Sequence, residues 1–334
     1  MQIFPSAQLV ARPAALIRDM ASFIRHPRVY QGDENTLGAG QRTVRTLRAW
    51  ALLFSLLLPF MCAIGLVMAA FSAVVQRVTG NAPGEFDAQN VLTDLMTFGS
   101  PLLVLFLAVI QAPLLEETAF RLWLKPTRRN LSVGLGAFAF FVFTFVRDLF
   151  TTQRGGGEAA ISAKSALLAL GMAIAFIAVA ALILWFVFSG KRLTWVQNFY
   201  QRHFWLPYVA SSLIFGGIHI TNYTNQVFWL AAPILVFPQT LLGFGLGYVR
   251  TRFGFGYGIL MHMLHNGLML VPGVLSLQMD KTATPAPAQG ALGIILTAFL
   301  VAYCGLLFLF VAFNAIWSVA ELRNKNASGA SAPV

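Results

Sequence analysis

The sequence predicts an all-α, polytopic membrane protein of about eight transmembrane helices, with both termini on the cytoplasmic side. Three observations carry this. Hydrophobic residues make up 57% of the 334, charged residues only 10%, and mean hydropathy is +0.71, outside the balance of a soluble domain. Apolar runs of about 20 residues, the length that crosses a hydrocarbon core roughly 30 Å thick, follow one another along the chain. The segments between these runs alternate between rich and poor in Lys and Arg.

Residues 1–48 form a basic N-terminal region with seven arginines among scattered Leu, Ile, Phe and Val. Its stretch from Ala7 to Ile24 can form an amphipathic helix lying in the membrane interface. The first long apolar run begins near Ala49, too far in for the h-region of a cleavable signal peptide. The membrane domain, 49–318, then reads as spans at 49–75, 97–123, 131–150, 165–189, 204–221, 226–249, 253–272 and 291–318. Residues 319–334 form a short cytoplasmic tail, rich in small residues and disordered in expectation from Asn324 on. With the N-terminus inside, 18 of the 23 Lys and Arg fall on the cytoplasmic side; only Arg77, Arg147, Arg154, Lys164 and Lys281 fall on the other. That bias predicts a multi-pass protein of the plasma (inner) membrane with N-in/C-in topology. The net charge of +11 therefore reads as topology signal and contact with anionic membrane lipids, not as a nucleic-acid surface. Cys62 and Cys304 lie in apolar runs and read as small buried hydrophobes, not a disulfide.

The chemistry concentrates in Glu116-Glu117-Thr118-Ala119-Phe120-Arg121. The chain has only 12 acidic residues, and these two carboxylates sit deep in a run otherwise built for lipid. An ionised group at that depth costs several kcal/mol unless paired, which marks it as functional. Glu117 and Arg121 are four apart, so on a helix they stack and can form an ion pair. Glu116 is turned about 100° away and faces other neighbours. At a rise of about 1.5 Å per residue, Glu116 lies roughly 13 Å from Lys125, and His219 roughly 20 Å from Trp205. On the same scale His262 lies roughly 15 Å and Asn266 roughly 21 Å from Arg252. Three spans therefore bring polar groups to one layer. His262 and Asn266, four apart, share a helix face, and His265 reads as a further member or a supporting residue. His26 and His203 read as interfacial. Gly243/Gly247 and Gly254/Gly258 have the small-xxx-small spacing of close helix crossings, and Pro113 can break the second span just before Glu116.

Glu, His, His and Asn in a wet intramembrane pocket suit two chemistries. A carboxylate and a histidine can activate a water while His and Asn donors hold an oxyanion. Alternatively, Glu116, His219 and His262 can bind zinc. Both lead to hydrolysis of an acyl or peptide bond. His-Glu-x-x-His, Gly-x-Ser-x-Gly and Gly-x-Gly-Asp are absent from the sequence.

EETAFR, FGGIH and HMLHN resemble the EExxxR, FxxxH and HxxxN motifs of the CPBP family, the CAAX-protease and bacteriocin-processing intramembrane proteases that include the Rce1-like enzymes. The resemblance covers a core at 95–124 and 204–270. It implies an intramembrane endopeptidase in which Glu116 and His219 activate water, His262 and Asn266 hold the oxyanion, and Glu117 with Arg121 organises the site. The family has been described both as metalloprotease and as glutamate-type. The metal-free reading, with no required cofactor, is preferred because a zinc site leaves Asn266 without a strong role. Glu116 and His219 stand 103 residues apart, further than in typical relatives, because two extra spans (131–189) intervene; an even number of crossings keeps the orientation. The expected substrate is a membrane-associated protein or peptide, and the compact loops read as bacterial. Two competing readings are a non-catalytic immunity or scaffold protein and a proton-coupled transporter with Glu116, Glu117 and His219 as relay.

Overall fold

The computed structural model describes residues 13–28, 38–79, 101–150, 163–222 and 236–281, with Ile234, Ala302, Leu309, Ala312 and Ile316 besides. The predicted span at 291–318, Cys304, the tail, and the start of the span at 226–249 lie largely outside the described residues. No strand occurs among the described residues.

The helices are α1 (Pro13–Arg25), α2 (Ala39–Thr79), α3 (Pro101–Phe106), α4 (Ala112–Arg121), α5 (Arg128–Phe150), α6 (Ala163–Val187), α7 (Gly190–His203), α8 (Trp205–Ile218), α9 (Phe237–Arg252) and α10 (Phe255–Lys281). A π-helical turn, Leu107–Gln111, joins α3 to α4. Short 3-10 turns follow α4 at Leu122–Leu124 and α8 at His219–Asn222. Each predicted span from 49–75 to 253–272 thus has a helical counterpart, but only three stretches among the described residues are long and apolar enough to cross a membrane: Leu103–Leu124, Arg128–Arg147 and Leu167–Val187. The run at 204–221 falls short because its α-helix ends at Ile218, after 14 residues, in the Gly216-Gly217 pair. α9, 16 residues long, carries Gln239, Thr240, three glycines and two arginines among its apolar residues.

α9 is the centre of the bundle, packed on α1, α2, α8 and α10. Its glycines make that possible. A methyl at Gly243 would press on the Ser212 backbone, and one at Gly247 on the Tyr208 ring, so Gly243/Gly247 is the close α8–α9 crossing the spacing predicts. Gly254 is different. Its φ of 115° turns the chain from α9 into α10, with the N–H of Phe253 and of Gly254 both donating to the Val249 carbonyl. The inserted spans form a hairpin. α5 packs on α4 through Phe120 against Phe138 and Phe141 (5.8 and 5.4 Å between centroids), and α6 lies outside it, with most of its apolar side chains exposed as lipid contact requires.

Within the stretch read as an amphipathic helix, Ala7–Ile24, α1 forms from Pro13; residues 7–12 lie outside the described ones, and Ile24 is exposed. Met20 and Phe23 are buried, with the Phe23 ring edge-on to Tyr208 and Tyr248. Asp19 accepts a hydrogen bond from the Tyr248 hydroxyl (2.6 Å) and pairs with Arg252, clasping α1 to α9.

Candidate active site

Four elements build the site: the π turn with α4, the end of α8, and the middle of α10. The π turn follows from the sequence. The Ala112 N–H donates to the Leu107 carbonyl, five residues back. In that register the next donor, to Ala108, belongs to residue 113, which is proline and has no N–H. The Ala108 carbonyl is instead satisfied by the side-chain amide of Asn266, whose Nδ2 donates at 2.8 Å. Pro113 therefore does not break the span, as its position suggested it could, but the register changes just before it, and α10 supplies the missing donor.

Glu117 and Arg121 form the ion pair that the four-residue spacing predicts, with Oε1 3.3 Å from a guanidinium nitrogen and both side chains fully buried. The same Oε1 lies 2.9 Å from Nδ1 of His262, which is 2% exposed. The Arg121 guanidinium lies 3.8 Å from the centre of the Phe215 ring. Gly258 faces Glu117 Oε2; a methyl there would lie 3.2 Å from that oxygen. Gly258 therefore makes room for a carboxylate, rather than for a helix crossing of the Gly254/Gly258 type.

Glu116 is oriented differently. Its Oε2 lies 3.7 Å from Nε2 of His262, too long for a hydrogen bond, and has no protein hydrogen-bond partner among the described residues. His262 thus stands between the two carboxylates, one at each ring nitrogen. An imidazolium, with an N–H on both, can serve both.

His219 closes α8. Its Nδ1 lies 2.7 Å from the Phe215 carbonyl; a carbonyl only accepts, so Nδ1 carries the proton and Nε2 is left as an acceptor. Its ring lies edge-on to Phe215 at 4.8 Å, and it is close enough to interact electrostatically with both Glu116 and His262. His265 is buried against the Phe54 ring of α2 (6.0 Å), so it supports the α2–α10 contact and does not enter the carboxylate cluster directly. His203 is exposed, beside Phe199, and His26 is exposed on the chain after α1.

Glu116, Glu117, Arg121, His262 and His219 are thereby gathered around Phe215, while Asn266 sits one helical turn further along α10 against the π turn. Among the described residues, no group of three or more His, Cys, Asp and Glu is placed to hold a metal ion. His219 and His262 each have Nδ1 held by a protein acceptor, which leaves Nε2 of each open, an arrangement that water-activating and metal-binding histidines share. Three residues read from sequence in other roles also contribute to the site. Phe215 heads FGGIH and serves as the shelf for Arg121; Gly258 makes room for Glu117. Arg250, read from sequence as a topology charge, is 4% exposed and hydrogen-bonds the Arg121 and Leu122 carbonyls at the end of α4 (3.2 and 3.4 Å). The only sequence signal for it is a basic residue inside a glycine-rich helix.

Residues 98–268, just over half of the chain, match the family model described as Rce1-like, type II CAAX prenyl endopeptidase. That stretch contains all three motifs and the inserted hairpin. No curated protein and no solved structure matches the chain significantly.

Proposed function

Since the chain belongs to the Rce1-like type II CAAX prenyl endopeptidase family, which makes it a membrane protease, we propose that it hydrolyses a peptide bond of a membrane-associated protein or peptide with a water activated by Glu116 and His219. The observation that carries this is the unequal use of the two carboxylates. Glu117 is held by Arg121 and His262, while Oε2 of Glu116 has no protein hydrogen-bond partner among the described residues.

In this reading a water sits between Glu116 Oε2 and the bare Nε2 of His219. Glu116 takes its proton as the oxygen attacks the scissile carbonyl. The Nε2–H of His262, not engaged in a hydrogen bond in the resting site, and the second N–H of the Asn266 amide stabilise the oxyanion. Glu116 then returns the proton to the leaving amine as the C–N bond breaks. Glu117, with Arg121 behind it, orients His262 through Nδ1. No metal enters the scheme. The substrate is an integral or peripheral membrane protein rather than a soluble one, and the N-in/C-in orientation of the sequence reading puts the basic end of the bundle in the cytoplasm.

The test is a comparison of membrane proteomes from cells carrying the parent, Glu116→Ala or His219→Ala. Both variants are expected to remain folded in the membrane and to accumulate the same uncleaved proteins. Identical processing in parent and variants would remove the enzymatic reading of this cluster.

A further inference from the structure

At the basic end of the bundle, a second feature borders the carboxylate site through Arg250. Where Leu122–Leu124 leads into α5 and Phe253-Gly254 leads α9 into α10, the structure forms an open cleft of about 580 Å³. Its wall holds Arg42 from α2, Lys125 and Arg129 from the α4–α5 junction, and Arg250 from α9, with no carboxylate among the described residues that line it. That volume is in the range of ligand sites.

Two helices also begin there. Thr127, Arg129 and Asn130 of the α5 start, and Gly254, Phe255, Gly256 and Tyr257 of the α10 start, all line it. The first N–H groups of a helix lack intrahelical acceptors and form its positive end. Thr127 satisfies one of them, the Asn130 N–H, through its hydroxyl (3.2 Å). Arg42 has its Nε buried without a hydrogen-bond partner among the described residues, and its guanidinium lies over the Tyr257 ring. Tyr257 in turn donates to the Ala39 carbonyl, which fixes the start of α2 against α10. Four cations, two of them held in place (Arg42 over Tyr257 and Arg250 on the α4 carbonyls), two helix starts and no lining carboxylate together describe a site for an anion.

The position narrows the chemistry. Lys125 and Thr127 fall between the ends of two candidate membrane spans, Leu103–Leu124 and Arg128–Arg147, so the cleft sits at the level of the membrane boundary. Leu122, Phe253 and Phe255 line it beside the cations, an amphiphilic wall. We propose that this cleft binds a phosphate-bearing anion at the membrane boundary, supplied by an anionic phospholipid headgroup or by free phosphate. Bound there, it neutralises the charge cluster next to Arg250, the residue that also holds the carbonyl end of α4.

Binding of a fluorescent short-chain phosphatidylglycerol to the purified full chain tests this, and needs no protease activity. Phosphatidylcholine and inorganic phosphate serve as competitors. The parent is expected to prefer phosphatidylglycerol over phosphatidylcholine. Arg42→Gln/Arg129→Gln is expected to bind about 25-fold more weakly, about fivefold for each cation near an anionic group. Arg129→Glu alone, at an exposed position that tolerates change, is expected to weaken binding more than Arg129→Gln. Competition by inorganic phosphate assigns the site to free phosphate; its failure, with phosphatidylglycerol still bound, assigns it to lipid. Equal binding of the two lipids with no effect of phosphate, or variants that bind as the parent does, overturns the proposal.

Discussion

Replacing Glu117 with leucine tests the division between the two carboxylates most directly. Glu117 and Arg121 are both fully buried, 3.3 Å apart, and the guanidinium nitrogens have no hydrogen-bond partner other than this ion-pair contact among the described residues. Removing the carboxylate leaves a buried cation over Phe215 that has lost its ion-pair partner and keeps only the weaker attraction of Glu116, which costs about 3–5 kcal/mol. Glu116→Gln should cost at most about 1 kcal/mol, because Glu116 is partly exposed and its Oε2 makes no protein hydrogen bond. Removing both charges, as Glu117→Leu/Arg121→Met, should return stability to within about 1 kcal/mol of the parent, since apolar residues of similar volume replace a buried pair at little net cost. The double variant stays inactive, because His262 has lost the oxygen that orients Nδ1. Midpoints of unfolding in mixed micelles, for the parent, three variants and Arg121→Met, give the coupling energy directly. If Glu117→Leu proves no more damaging than Glu116→Gln, or the double variant is as unstable as the worse single one, the ion pair does not hold the site as argued.

Three further outcomes follow from the same geometry. Asn266→Leu should cost about 1–3 kcal/mol by stranding the Ala108 carbonyl, and less than that in a Pro113→Ala background, where residue 113 gains an N–H able to reach it; equal costs in both backgrounds would separate the proline from the asparagine. Gly258→Ala should leave the midpoint unchanged or raise it, because alanine is the better helix former by about 1 kcal/mol, while cleavage drops about tenfold as the methyl shifts Glu117 Oε2 by a few tenths of an ångström. Parental cleavage by the folded variant would show that the carboxylate tolerates displacement. Purified protein is expected to contain no stoichiometric zinc and to cleave in the presence of chelator; activity lost on chelation and restored by zinc would require a metal route.

How far the sequence reached depends on which physical rule was in play. Helical periodicity is local, so the pairing of Glu117 with Arg121 and the separate orientation of Glu116 were readable from spacing alone. The depth arithmetic was also sound for His262, which meets both carboxylates from another helix. It could not find the partner of Asn266, because that partner is a backbone carbonyl released by a change of helical register, and register is invisible to a count of apolar residues. The positive-inside rule counted Arg250 and Arg252 as loop charges. Both turn inward, to the end of α4 and to Asp19, since the rule concerns a side of the membrane and not where a guanidinium points. In the run at 204–221 the α-helix gives way to a 3-10 turn at His219, a change of helix type that hydropathy does not register.

The stripe along α10 explains why these particular spacings carry the site. Gly258, His262 and Asn266 lie at successive four-residue steps on one face, a rise of about 12 Å. Along that face they meet, in order, Oε2 of Glu117, then Oε1 of Glu117 and Oε2 of Glu116, then the carbonyl of Ala108. The positions on α10 rise as those on the second span fall, so the two segments run antiparallel and each polar contact also sets the register of the pair. A turn of α10 by one residue, about 100°, would break all of these contacts at once. The inserted α5–α6 hairpin is compatible with this because it attaches through Phe120, whose ring meets Phe138, Phe141 and Phe215, while the Glu116–Glu117 edge is engaged by α10. Two spans can therefore be added between Glu116 and His219 without touching the interface that defines the chemistry.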